Sequence, residues 1–115
     1  MDEVMNSILN SIKKKLGIEP EDTNFDSEII MHINMALGIC KQLGIGPQDH
    51  PFRITGKDET WDEFVSNDTI DAVRDYVFVK VKIIFDPPTS SFVLESYKEL
   101  AKEFEWRGNV DAETP

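Results

Sequence analysis

The sequence has one cysteine, two histidines and only 12 lysines and arginines against 22 aspartates and glutamates. Each shortage removes a class of protein. A single cysteine, Cys40, excludes an internal disulfide, and its apolar neighbours mark it as a small core hydrophobe rather than a reactive thiol. Two histidines leave a serine or cysteine triad little to work with, and no serine sits in a GxSxG setting. His32, Cys40 and His50 do not fall at metal-ligand spacings, and no CxxC, HExxH or calcium-loop pattern occurs, so no metal is expected. Glycines are scattered, as in GIGP, with no GxGxxG or GxxxxGKS run to cradle a nucleotide. The carboxylates fall mostly at helix starts and on polar faces, where water solvates them and no general acid or base is set up. The sequence therefore predicts no catalytic residue, no cofactor and no enzyme.

The shortage of basic residues leaves a net charge of −10, which repels a nucleic-acid backbone rather than neutralising it. The excess is local. Glu19 to Glu28 carries five acids and no base, and Lys57 to Asp75 carries seven acids and two bases. Long apolar runs are missing too: "YVFVKVKIIF" is too short and too rich in lysine to span a bilayer. The start, "MDEVMNS", lacks the basic and greasy parts of a signal peptide, so a cytoplasmic chain is expected. At 115 residues with 40% apolar content, one domain around one core is the expectation.

What is present is helical periodicity. Residues 4 to 16 place Met5, Ile8 or Leu9, Ile12 and Leu16 on one face. Asp2 and Glu3 sit at the positive end of the helix dipole and Lys13, Lys14 and Lys15 at the negative end, where they read as solvated charges rather than a phosphate-binding patch. Gly17 closes this helix, and "IEPEDTN" is a loop. A second helix starts at Asp26, whose carboxylate is placed to cap it, with Phe25 as a hydrophobic staple on Ile30. From Ile29 to Leu43 nearly every residue is apolar, so the helix needs cover on most sides, from its own domain or a neighbouring copy. Gly38 in its middle costs about 1 kcal/mol relative to Ala, a cost that a close helix contact would explain.

Gly44 to Glu59 is rich in Gly, Pro and charge and reads as a long loop with room for a short extended piece at Phe52 to Thr55; loops of that length are often functional or mobile. "ETWDEF" is one amphipathic turn, with Trp61 and Phe64 on one side. Asp68 to Phe85 places Ile70, Val73, Val77, Val81 and Ile84 at helical spacing over about 27 Å. "FVKVKI" alternates like a strand, but eighteen residues are long for one, and Asn67 or Asp68 with Asp71 supplies a helix start. Pro87 and Pro88 then force Asp86 and Pro87 out of helical geometry. Thr89, Ser90 or Ser91 caps a last helix with Val93, Tyr97, Leu100 or Ala101, and Phe104 inward. Glu95, Lys98, Glu99, Lys102 and Glu103 face water. It ends near Trp106 and Gly108, and "NVDAETP" reads as a disordered tail. The predicted fold is all-α: a small bundle of four main helices plus a short helical turn, one domain over residues 1–107 and a flexible tail over 108–115.

At "FDSEIIMHINMALGICKQLGIGP", "TWDEF", "YVFVKVKIIFDPPTSSF" and "EFEWRGN" the chain resembles the head-tail connector proteins of long-tailed double-stranded DNA bacteriophages and prophages, also called adaptor or head-completion proteins. The similarity runs from about Ser7 to Arg107. It implies a small helical protein that forms a ring beneath the portal, at the virion neck, after assembly in the host cytoplasm. The partners it implies are the portal protein, a tail-side connector or stopper protein and copies of itself, with monomers in isolation until a portal templates them. From composition, no membrane and no sequence-specific nucleic-acid binding are expected. One departure is Gly108, where the family pattern continues with a helix-forming residue.

On that reading the contact regions are the loop Gly46 to Glu59, with Phe52 and Arg53, then Trp61 and Phe64, and the C-terminal segment from Trp106 and Arg107. The three aromatics Trp61, Phe64 and Trp106 read first as core or helix-end packing and second as interface anchors. Asp86, Pro87 and Pro88 form a rigid elbow that would limit angular error from subunit to subunit, although many helix pairs are joined this way. Acids facing a channel would repel passing DNA; the competing account is helix capping by Asp26, Glu28, Asp68 and Asp71. A second reading of the charge is a small acidic inhibitor that fills a basic cleft by mimicking DNA, recognisable by salt-sensitive binding.

Overall fold

A computed structural model describes the backbone over residues 3–113 and the side chains over residues 5–108. Among the described residues every regular element is a helix: α1 (Glu3–Asn6), α2 (Ile8–Lys15), α3 (Asp26–Gln42), α4 (Trp61–Phe64), α5 (Ile70–Phe85) and α6 (Ser91–Glu113). Strand is absent from "FVKVKI". It lies in the second half of α5, where Val79 and Val81 are both buried although they leave the helix on opposite sides.

Helix α5 is the centre of the bundle, packed against α2, α3 and α6. Ile70, Val73, Tyr76, Val77, Val79 and Val81 are all buried, whereas Ile84, predicted inward, is half exposed near the helix end. Opposite them lie Ile29, Ile33, Ala36, Leu37 and Cys40 from α3 and Ile8, Leu9 and Ile12 from α2. Helix α5 begins at Ile70 after Thr69, one to two residues later than an Asn67 or Asp68 cap predicts, and no side chain caps it.

The first predicted helix is two. At Ser7 the chain turns extended, pairs in an isolated bridge with Thr60, donates its hydroxyl to the Lys57 carbonyl at 2.7 Å and accepts from the Asn10 N–H at 3.2 Å. Ser7 is therefore the N-cap of α2, a role its residue type favours. Asp2 lies outside the described residues, and the side chain of Glu3 is not described. Gly17 ends α2 as predicted: the Ile18 N–H reaches the Lys13 carbonyl and the Gly17 N–H the Lys14 carbonyl, the paired bonds of a left-handed helix stop.

Lys13 departs from the solvated reading. Its side chain is fully buried, and its ammonium donates to the carbonyls of Pro20 (3.1 Å) and Asp22 (2.7 Å) and lies 2.8 Å from Asp26 Oδ1. Asp26 is consequently an ion-pair partner, not a cap; α3 has no side-chain cap, and Phe25 before it sets its ring edge-on to Phe85 at 5.6 Å. Gly38 has no close neighbour: a Cβ built there meets nothing within 4 Å. The close approach is at Gly108 instead, where a Cβ would come 2.8 Å from Leu43 Cδ1.

Asp86 closes α5 and accepts from Lys82 Nζ at 2.8 Å; Pro87 and Pro88 follow without helical structure, and Ser90 accepts from the Val93 N–H at 3.4 Å to start α6. The two helices fold back on each other, with Tyr76 stacked on Phe104 (4.3 Å) and Phe78 edge-on to Tyr97 (6.2 Å). Ala101 takes the buried position and Leu100 and Val93 are exposed. Helix α6 continues to Glu113, past the end predicted near Gly108. Thr114 and Pro115 of the predicted tail lie outside the described residues.

Candidate interaction surfaces

The long loop is fastened to the bundle. Phe52 and Ile54 are buried while Arg53 and Thr55 face out, the alternation of an extended chain, though no strand forms there. The Asn34 amide does what a neighbouring strand would: Nδ2 donates to the Ile54 carbonyl at 3.0 Å and Oδ1 accepts the Ile54 N–H at 2.8 Å. Glu59 gathers the next turn, accepting from the Thr55 N–H (2.7 Å), the Thr55 hydroxyl (2.8 Å) and the Gly56 N–H (3.2 Å). Partial burial pushes its pKa up, but those hydrogen bonds outweigh it and hold the carboxyl below its ordinary value. Gly46, at φ +85°, lies so close to the Phe52 ring that a Cβ would collide with it. Lys41 Nζ donates to the His50 carbonyl at 2.8 Å.

These contacts settle where the predicted site residues stand. Phe52 is in the core, with its ring 5.2 Å from that of half-buried Phe64. Trp61 is fully buried and donates Nε1–H to Ser11 Oγ at 2.9 Å, the satisfied polar handle of a core indole. Phe52 and Trp61 thus face inward and present no surface in this fold. Arg53, Trp106 and Arg107 face water. Arg107 pairs with Glu103 on its own helix at 2.6 Å. The three do not converge: Arg53 lies beside α3, and the other two are on α6.

Among the described residues, two open apolar surfaces stand out. On α3, Met31 and Met35 are 53% and 58% exposed and share a shallow hollow with Ser27, Ile30, Asn34 and Arg53. On α6, Phe92 is 80% and Trp106 66% exposed. At about 100° per residue, Phe92, Glu99, Glu103 and Trp106 fall within about 60° of one another, opposite the stripe of Ala101 and Gly108 that meets the bundle. A groove of about 390 Å³ follows the α5–α6 seam, lined by Tyr76, Val79, Leu100 and Phe104 with Asp75, Glu103 and Arg107. Beside it Tyr76 donates its hydroxyl to Glu105 Oε2 at 2.6 Å, and burial with that carboxylate pushes the phenol pKa far up. The sequence left open that a neighbouring copy covers part of α3, but with nearly every position apolar it did not single out Met31 and Met35 as the bare stripe.

No three His, Cys, Asp or Glu side chains gather into a metal-holding group among the described residues. Residues 8–115 match the model for the phage connector protein family. The chain belongs to that family. It is a structural component of a bacteriophage, a head-tail connector built as a helical bundle, and its kind joins portal and tail components in the virion. No curated protein and no solved structure matches the connector. Among the described residues, no helix of the connector is long and apolar enough to cross a membrane.

Proposed function

We propose that this connector is one subunit of a closed ring seated at the virion neck, between the portal protein and a tail-side connector or stopper protein, with DNA passing through the opening. Family membership over residues 8–115 carries the reading. Open apolar surface on two helices supports it, because a subunit that works by adhesion needs faces its own core does not cover. The acids of Glu19 to Glu28 and Lys57 to Asp75 support the DNA passage, since an anionic wall lets a polyanion slide without sticking. Subunits made in the host cytoplasm stay monomeric until a portal templates them. Cryo-microscopy of mature particles is expected to find copies of this chain in a ring at the neck; a neck without the chain overturns the reading.

The elbow at Asp86, Pro87 and Pro88 sets the angle between α5 and α6 and so the angle between subunits. Replacing both prolines with Ala is expected to preserve helical content and lower incorporation into particles; unchanged incorporation removes that role. The net charge of −10 also favours a second reading, a DNA-mimicking inhibitor. Tight binding to a basic protein that collapses as salt rises is its signature.

A further inference from the structure

The two bare faces differ in charge. Around Met31 and Met35 stands Arg53, exposed and without an ion pair among the described residues. The hollow next along the surface, sharing Ser27 and Ile30, adds Lys57, also without an ion pair among the described residues, together with Glu21 and with Asp26, whose carboxylate is already held by Lys13. A carboxylate on the stripe itself, Glu28, lies 3.7 Å from His32 Nε2. Apolar surface beside unpaired cations is unusual on a chain of net charge −10. The outer face of α6 is the reverse: Phe92 and Leu100 share a shallow hollow with Glu95, Glu99 and Glu103. Those carboxylates meet only exposed partners on their own helix, Lys98 at 3.6 Å, Lys102 at 3.9 Å and Arg107 at 2.6 Å. Exposed pairs of that kind hold weakly and are readily exchanged.

Gly38 adds a second observation. It falls on the same outward stripe as Met31 and Met35, at about 100° per residue, and nothing inside the chain explains it, because a Cβ there meets open space. A mid-helix glycine costs about 1 kcal/mol relative to Ala, and it bares backbone for another helix to approach.

We propose that the outer face of α6 in one copy docks on the Met31–Met35–Gly38 stripe of α3 in the next, with carboxylates of the first meeting Arg53 and Lys57 of the second. The inference rests on the ring reading and deepens it by naming the two faces. Because the faces are different, the contact is head-to-tail, the kind that closes into a ring when each copy is rotated by the same closing angle. Methionines suit it, since their flexible side chains mould around Phe92 and Leu100.

The test is a photo-reactive phenylalanine analogue at Leu100, illuminated in particles assembled from mixed heavy- and light-isotope copies of the connector. The expected product is a mixed-isotope crosslink from residue 100 to the Met31–Gly38 segment. Arg53→Glu is expected to lower its yield about tenfold, by placing like charges face to face, and adding Glu99→Lys is expected to restore much of the loss. Crosslinks confined to one isotope, crosslinks to other segments, or none at all overturn the pairing. If the chain sits in the neck but residue 100 avoids α3, the pairing fails and the ring reading stands. If the chain is missing from particles yet the purified copies crosslink α6 to α3, the ring reading fails and the pairing stands.

Discussion

The segment from Leu43 to Thr60 has no helix, yet Phe52 and Ile54 on it are as buried as core helix residues; α6 is regular for 23 residues, and of its described positions only Ala101 and Gly108 are buried. The difference shows that regular backbone and burial are separate matters. A helix satisfies its own N–H and C=O groups and can stand bare in water, whereas a loop can be buried only where something else satisfies them. Asn34 and Glu59 do that for the loop. Lys13 does the same for the shorter connection between α2 and α3.

Breaking the fastenings should therefore cost far more than trimming the bare helix. Lys13→Ala strands Asp26 and two carbonyls and is expected to lower unfolding stability by about 3 kcal/mol, read from urea unfolding. Asn34→Ala removes both bonds to Ile54 and is expected to cost about 2 kcal/mol, with hydrogen exchange speeding up at Ile54 and Thr55. Gly108→Ala gains helix propensity but presses on Leu43, for a net loss of about 1 kcal/mol; in a Leu43→Ala background, which removes both methyls and leaves only the Cβ at 3.1 Å, the loss should shrink. The Glu59 carboxyl, held below its ordinary value of 4.5, adds stability that is complete above that value and lost as pH falls through its depressed one. Glu59→Gln should flatten the acid limb of a stability–pH profile. Phe92→Ser, on the open face of α6, is expected to change stability by less than about 0.5 kcal/mol.

Much of the fold was legible because periodicity carried it. Ile70, Val73, Val77 and Val81 repeat at helical spacing and are buried. The helix–proline elbow–helix order also reads directly. What stayed hidden depends on partners far along the chain. Ser7 looks like a mid-helix residue until Thr60 and Lys57 come beside it. Lys13 looks like a solvated helix end until the next loop closes over it. Phe52 sat in a loop whose polar neighbours suggested surface, and only the docking of Asn34 on Ile54 beside it shows it inward; Trp61, read first as packing, is fixed in the core by its bond to Ser11. The bare stripe of α3 was illegible for a related reason: nothing in an all-apolar helix says which side α5 will leave uncovered.

Cys40 turns the architecture into its own gauge. It is the chain's one thiol, and burial pushes its pKa up to about 12, so it is both shielded and un-ionised in the folded protein. An alkylating reagent can reach it only when the core around α3 opens, so the rate of modification reports how often it does. The same reading, taken on free chain and on chain seated in a particle, measures how much assembly tightens the subunit without any added label.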